Sequence, residues 1–318
     1  MTAILKPRID LEHRTPLQDF IPLSTPYLVF LDPSSKCNAK CKWCPTGAGA
    51  TQRFQKPQLM EFGLFKKIIQ NLVEFPEEIK TLRLYMMGEP LLNPKLADMV
   101  TIAKVSTGAS IDTTTNGKLL TWKRGVDLIN AGLDKIFISI PNDYSEELRD
   151  NVGYFFQNSR RYHCEVFVKI IGDGMSEPEK DNFNRDFYNI SDRIFIENLV
   201  PCWPNFNPKG IKYGNIGIYG NALTSVQTCP YIFYSIAINS DGLVSLCFLD
   251  WNRQLLLGDL RKENLVDIWN SKLLRDYRIW HLSFGRKILR SCENCKQLVY
   301  GLPDDIDAYA KEIMERIT

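Results

Sequence analysis

Cys37-Asn38-Ala39-Lys40-Cys41-Lys42-Trp43-Cys44 is the stretch on which the reading of this chain turns. Three cysteines at C-x3-C-x2-C spacing share one short loop. Three thiolates this close together are costly unless something binds them. A [4Fe–4S] cluster is usually ligated by four cysteines, and this local set stops at three, which leaves one iron open to a non-protein ligand. Just upstream, Tyr27-Leu28-Val29-Phe30-Leu31 is an apolar run that reads as a buried strand over about residues 27–32. The cysteines therefore follow the carboxyl end of a first strand, where α/β folds place their chemistry. The competing reading of the same spacing is a three-cysteine zinc site completed by a distant ligand.

Outward from this loop, apolar runs alternate with segments of helical spacing. Residues 45–58, rich in Gly, Thr and Gln, read as a flexible cover. Leu64, Phe65, Ile68, Ile69 and Leu72 recur at helical spacing. The run Thr81-Leu82-Arg83-Leu84-Tyr85-Met86 ends in Met87-Gly88-Glu89-Pro90, where glycine permits close backbone approach and a carboxylate can bind an ammonium group. Asn93-Pro94 reads as N-cap and first turn of the next helix. A third strand, Ala109 to Thr113, runs into Thr114-Thr115-Asn116-Gly117, and a helix follows that ends at Ala131-Gly132. Lys135–Ile140 is a fourth strand, Glu165–Ile171 a fifth and Arg193–Leu199 a sixth. Ser176-Glu177-Pro178-Glu179 between the last two is a capping-box pattern. Six strands alternating with helices argue for parallel βα units. Residues 1–26, with Pro7, Pro16, Pro22 and Pro26, read as an extended arm packed on them.

After residue 204 the pattern changes. Residues 205–221 are rich in Gly, Asn and Pro and read as a loop with a hairpin at most. Cys229-Pro230 precedes two apolar runs, Tyr234–Ile238 and Leu243–Cys247, joined by Asn239-Ser240-Asp241-Gly242, which reads as a β-hairpin. That hairpin brings Cys229 and Cys247 within reach of each other. A helix through Leu265, Ile268, Trp269, Leu273 and Leu274 follows, then Cys292-Glu293-Asn294-Cys295. Four cysteines make a closed site, and spacing alone favours tetrahedral zinc. Two cysteines stand apart. Cys164, beside His163 at the start of the fifth strand, reads as structural. Cys202, between Pro201 and the Trp203-Pro204 pair, follows the sixth strand at the end where the chemistry is expected. It is either a hydrogen-atom donor or a small buried apolar residue.

The remaining composition is that of an ordinary globular chain. Of 318 residues, 44% are hydrophobic and 24% charged, which suits one large α/β domain and a smaller one. A net charge of +2 gives no argument for nucleic-acid or membrane partners. The nine cysteines are odd in number and the first three too tightly spaced for a secreted disulfide set, so a reducing cytosol is expected. No apolar stretch has the length of a signal peptide core or of a bilayer span.

Cys37, Cys41 and Cys44, with aromatic Trp43 before the last of them, resemble the signature of the radical S-adenosylmethionine (SAM) enzymes. In that family three cysteines hold three irons, SAM chelates the fourth, and one electron from the cluster releases a 5′-deoxyadenosyl radical that removes a substrate hydrogen. The resemblance implies a partial (β/α)6 TIM-like barrel over residues 27–204, after an arm at 1–26. Gly88 and Glu89 match the family's Gly-Gly-Glu motif, with Met87 in place of the first glycine, so Glu89 is expected to bind the SAM amino group. Thr115, Asn116 and Gly117 resemble its Thr-Asn-Gly, and Ser139 falls where related enzymes contact SAM. Cys229, twelve residues, Gly242, four residues, Cys247 is similar to the opening of the SPASM and twitch modules. This implies a small α+β domain at 205–318 in which Cys229, Cys247, Cys292 and Cys295 hold one auxiliary [4Fe–4S] cluster. The implied enzyme dehydrogenates or epimerises a small sugar- or aminocyclitol-like substrate and draws on an electron donor such as flavodoxin or ferredoxin. A maturase acting on a ribosomal peptide and a noncatalytic zinc-binding interaction protein are the alternatives.

Overall fold

A computed structural model describes residues 3–9 and 15–317. Its backbone is organised by one ten-stranded sheet, ordered β1-β7-β6-β5-β4-β3-β2-β8-β9-β10. The strands are β1 (Ile4–Leu5), β2 (Leu28–Leu31), β3 (Thr81–Arg83), β4 (Ser110–Thr115), β5 (Lys135–Ser139), β6 (Glu165–Ile171), β7 (Arg193–Glu197), β8 (Ser235–Ile238), β9 (Leu243–Ser245) and β10 (Leu256–Asp259). β2 to β7 are parallel, in chain order, and separated by helices α1 (Phe62–Leu72), α2 (Leu96–Thr107), α3 (Trp122–Asn130), α4 (Glu146–Ser159) and α5 (Glu177–Phe187). This is the partial (β/α)6 barrel.

The two faces of each strand have different fates, because side chains alternate along it. Val29, Leu31, Leu82, Leu84, Ile136 and Ile138 face the helices and are buried in the main core. Their neighbours Phe30, Arg83, Tyr85, Asp112, Phe137, Phe167 and Lys169 occupy the opposite register positions and form the lumen. The lumen is therefore aromatic and charged, whereas the outer layer is aliphatic.

Both edges of the barrel sheet are extended. β1 of the N-terminal arm pairs in parallel with β7. At the other edge β8 pairs in parallel with β2 over four residues, and β9 and β10 continue antiparallel. The C-terminal segment thus grows out of the barrel sheet, and Trp251 Nε1 donates to the Pro204 carbonyl at 2.7 Å on the far side of the opening.

Three local expectations need correction. Asn93 Oδ1 accepts from Lys95 N at 3.0 Å, as a cap does, but α2 starts only at Leu96, and the buried Asn93 amide donates to the carbonyls of Pro33 (2.9 Å) and Met60 (3.2 Å). The helix expected through Leu265–Leu274 is two, Leu265–Trp269 and Lys272–Phe284, because the Ser271 hydroxyl accepts from Leu274 N and caps a new start. Residues 45–58 are held rather than loose. Ala48 N and Ala50 N donate to the carbonyls of Cys44 and Pro45, and Gln55 accepts from Arg253 of the C-terminal domain at 2.5 Å.

Candidate functional site: two sets of cysteines at the carboxyl end of the barrel

The loop after β2 carries Cys37, exposed, and Cys41 and Cys44, half-buried, with half-buried Trp43 between the last two. Two glycines let backbone pack directly on it. A Cβ at Gly88 would lie 2.2 Å from the carbonyl oxygens of Ser34 and Lys36, and one at Gly47 would lie 2.6 Å from Cys41 backbone atoms. Glu89 N donates to Lys36 O at 2.8 Å, which seals this turn to the cysteine loop.

The Glu89 carboxylate is buried and thoroughly held. One oxygen accepts from Thr115 Oγ1 at 2.7 Å and Leu91 N at 3.0 Å, and the other from Asn116 N at 2.9 Å. Burial pushes its carboxyl up, against the hydrogen bonds that favour its charge. The Asn116 amide also donates to Asn38 Oδ1 on the cysteine loop at 2.8 Å. Gly88, Glu89, Thr115 and Asn116, from two strand ends, and the three cysteines are therefore one constellation. Ser139 lies at the end of β5 in register with Lys169, on the lumen side.

The second set is assembled from distant parts of the chain. Cys229, Cys247, Cys292 and Cys295 line one cavity. Burial pushes the thiols up, Cys229 to about 12 and Cys247 well above its ordinary range, and the charges of the other cysteines add to this. Backbone N–H groups point at the sulfurs: Leu249 N donates to Cys247 Sγ at 3.4 Å, those of Tyr231 and Ile232 to Cys229, and those of Gln297 and Leu298 to Cys295. In the first set Ala39 N does the same to Cys37 at 3.4 Å. Arg286, on the cavity wall, donates to the Cys295 carbonyl.

The donor set fits an iron–sulfur cluster: thiols line one cavity, and backbone N–H groups are aimed at their sulfurs.

Several residues were not singled out from sequence. Asp32, at the end of β2, is fully buried and pushed up to about 7, first by burial, with backbone donors from Met87, Gly88 and Ser34 opposing. Lys169 and Glu197 form an ion pair at 2.5 Å in the lumen. The inward register of all three was readable from strand alternation, but nothing marked them as more than solvated charges. Cys202 has burial pushing its thiol up to about 12, with the charges of Cys295 and Cys44 adding to the effect. It thus lies within electrostatic reach of both sets. Cys164 is buried at the opposite end of the sheet.

Comparison with known proteins gives two family matches along this chain. The model of the radical SAM superfamily matches residues 31–162, and that of an iron–sulfur cluster-binding domain, SPASM, matches residues 229–296. The tungsten-containing aldehyde ferredoxin oxidoreductase cofactor-modifying protein of Pyrococcus furiosus is 24% identical, over 89% of this chain and 92% of its own. The S-adenosyl-L-methionine-dependent 2-deoxy-scyllo-inosamine dehydrogenase of Niallia circulans is 20% identical, over 88% and 96%. Among solved structures, Streptococcus suis SuiB bound to precursor peptide SuiA superposes with a TM-score of 0.62 at 13% identity, over 89% of this chain and 72% of that one, a likeness of fold.

Proposed function

Because this chain belongs to the radical SAM superfamily and carries a C-terminal iron–sulfur cluster-binding domain, we propose that it dehydrogenates a small sugar- or aminocyclitol-like substrate. The family assignment brings with it a SAM-binding [4Fe–4S] cluster, an auxiliary iron–sulfur cluster and SAM. When bound, these supply cleavage of SAM to a 5′-deoxyadenosyl radical at the first site and an acceptor for one electron at the second.

The chain's own residues do the rest. Cys37, Cys41 and Cys44 would hold the first cluster, and Cys229, Cys247, Cys292 and Cys295 the second. Glu89, already fixed by three donors, presents its carboxylate to the SAM ammonium without having to reorganise. Asn116 ties that carboxylate to the cysteine loop. Ser139 and the Lys169–Glu197 pair offer donors and acceptors to hydroxyl groups of a substrate in the lumen, which hold a C–H bond in one orientation.

One observation carries the choice of dehydrogenation. Tyr231 and Gln297 line both the four-thiol cavity and the cavity of the barrel lumen. The two cavities thus share a wall through which an electron leaving a substrate in the lumen would reach the auxiliary site. The Niallia circulans relative, named as a dehydrogenase, supports the same choice.

Epimerisation is favoured by a different observation, that Cys202 lies within electrostatic reach of both cysteine sets. Its thiol, pushed up to about 12, stays protonated at neutral pH and so retains a hydrogen atom to give. Turnover of Cys202→Ala in deuterated water separates the two. Dehydrogenation predicts a product two mass units lighter than the substrate, with the variant and the wild type alike. A wild-type product of unchanged oxidation state carrying one deuterium, lost in the variant while 5′-deoxyadenosine still forms, would replace dehydrogenation by epimerisation.

A further inference from the structure

Below the carboxyl ends of its strands, the barrel lumen opens into a cavity of about 600 Å³, within the range of small-molecule sites. Its wall includes Arg8, Phe30, Arg83, Tyr85, Tyr219 and Phe248. Phe30 and Phe248 stack with centroids 4.4 Å apart, and Tyr85 meets Phe30 edge-on at 6.1 Å. The unusual member is Arg8. It comes from the N-terminal arm, and its guanidinium lies over the ring of Phe137 at 3.9 Å and that of Tyr85 at 5.0 Å.

Among the described residues, the chamber carries Arg8, Arg83 and Asp304 on its wall, with Asp112 against both guanidiniums. Arg83 Nε donates to Asp112 Oδ2 at 3.0 Å, while Arg8 Nη2 is 3.8 Å from the other oxygen of the same carboxylate. Two guanidiniums thus share one carboxylate. Asp304, farther along the wall, already has a partner. Arg8 Nη1 donates to Thr114 Oγ1 at 3.3 Å; among the described residues its Nη2 has only the ion pair with Asp112 Oδ1, which likewise lacks a hydrogen bond, and its buried Nε has no acceptor. Buried charged donors left unmatched are costly unless a ligand completes them.

The height of Arg8 in the barrel is also defined. Phe137 and Thr114, which it touches, each precede by two residues a member of the layer above, Ser139 and Asn116. Two residues of strand correspond to about 7 Å.

We propose that this chamber docks an acidic group, a carboxylate or phosphate, of a substrate whose reacting C–H bond lies one layer higher, at the level of Ser139 and Lys169. The inference rests on the proposed sugar-like substrate and narrows it to a sugar acid or sugar phosphate, with the neutral or amino-bearing ring excluded. Arg8 supplies the charge-assisted donors, and the aromatic wall supplies faces for the ring.

The test uses the cluster-loaded protein, anaerobically, with calorimetric titration of four probes: glucose 6-phosphate, glucuronate, glucose and glucosamine. At least one of the two acids should bind at least tenfold more tightly than glucose and glucosamine, and the tighter acid identifies the group. Arg8→Gln should lose at least tenfold in affinity for that acid, and Arg8→Lys, which keeps the charge, should recover part of it. Acids binding no better than glucose in the wild type would overturn the proposal, whatever the folding of the variants. So would unchanged acid binding in Arg8→Gln. If instead the underlying functional reading is at fault, the wild type forms no 5′-deoxyadenosine from SAM while the order of the four probes stands.

Discussion

The two cysteine sites solve the same problem in opposite ways. The first takes three thiols from eight consecutive residues and leaves them on an accessible loop, with Cys37 exposed. The second takes four thiols from a span of 67 residues, Cys229 to Cys295, and encloses them in a cavity. A local site needs little folding to form its ligand set, but it depends on neighbours to direct what binds its open side. In the assignment proposed above, Gly88 and Glu89 from the end of β3, and Thr115 and Asn116 from the end of β4, provide that direction. A closed site needs no such direction, but it exists only when hairpin, helices and terminal C-x2-C are all in place. Closed sites suit electron transfer and open ones suit ligand chemistry, which is the division of labour proposed above.

The comparison breaks most sharply if each set is removed in turn. Replacing Cys37, Cys41 and Cys44 together by Ala should abolish SAM cleavage and leave about four iron of an initial eight per chain, one intact cluster. Replacing Cys292 and Cys295 by Ala should also leave about four iron, but with 5′-deoxyadenosine still formed and no oxidised product. Iron and sulfide assay, with quantification of 5′-deoxyadenosine, checks both. Continued SAM cleavage by the triple variant would reverse the assignment of the two sites.

A smaller effect sharpens the account of the open site. Glu89→Gln keeps shape but removes the charge proposed to face the SAM ammonium. Charge-assisted hydrogen bonds contribute about 1.5–3 kcal/mol, so SAM affinity should fall by roughly tenfold to more than a hundredfold with iron content unchanged. Since burial raises the Glu89 carboxyl, wild-type SAM affinity should also weaken as pH falls into its titration range, and the variant should lack that dependence. Equal SAM affinity in both proteins, measured by equilibrium dialysis, would remove Glu89 from the site.

The smallest effect concerns Asp32, which joins the two regions. It accepts from Met87 N at 3.2 Å beside the open site, and the charge of Arg253 from the C-terminal domain reaches it. Its folded value, about 7, lies above the ordinary 3.8. The folded state therefore holds the proton more tightly than the unfolded one. That contribution to stability is full below the ordinary value and is lost as pH rises through 7. Between pH 6 and 8 the loss is about 1.4 kcal/mol, and Asp32→Asn should not share it. Thermal unfolding of both proteins across this window should show the variant gaining on the wild type. Parallel profiles would mean that Asp32 is already ionised at pH 6.

Much of the barrel was legible because its signals are local. Strand β6 over Glu165–Ile171, the capping box at Ser176, and the αL glycine Gly132 after α3 each follow from neighbouring residues alone. Where sequence reasoning slipped, a tertiary contact outweighed a local preference. Asn93 still offers its oxygen to Lys95 N, yet two carbonyls from other segments, Pro33 and Met60, hold its amide in the interior and α2 starts only at Leu96.

Sequence by itself determined the number and spacing of the thiols, the order of the six parallel strands and the acidic side chain at residue 89, because covalent order fixes spacing and side-chain alternation fixes which face each strand buries. Only the tertiary structure decided that the C-terminal hairpin extends the barrel sheet beside β2, that Cys202 lies within reach of both cysteine sets, and that Arg8 enters the lumen to share Asp112 with Arg83. Each of these joins residues far apart in the chain, up to 207 positions for Leu28 and Ser235. No local pattern encodes such a meeting, since it depends on how whole elements pack to cover their apolar faces.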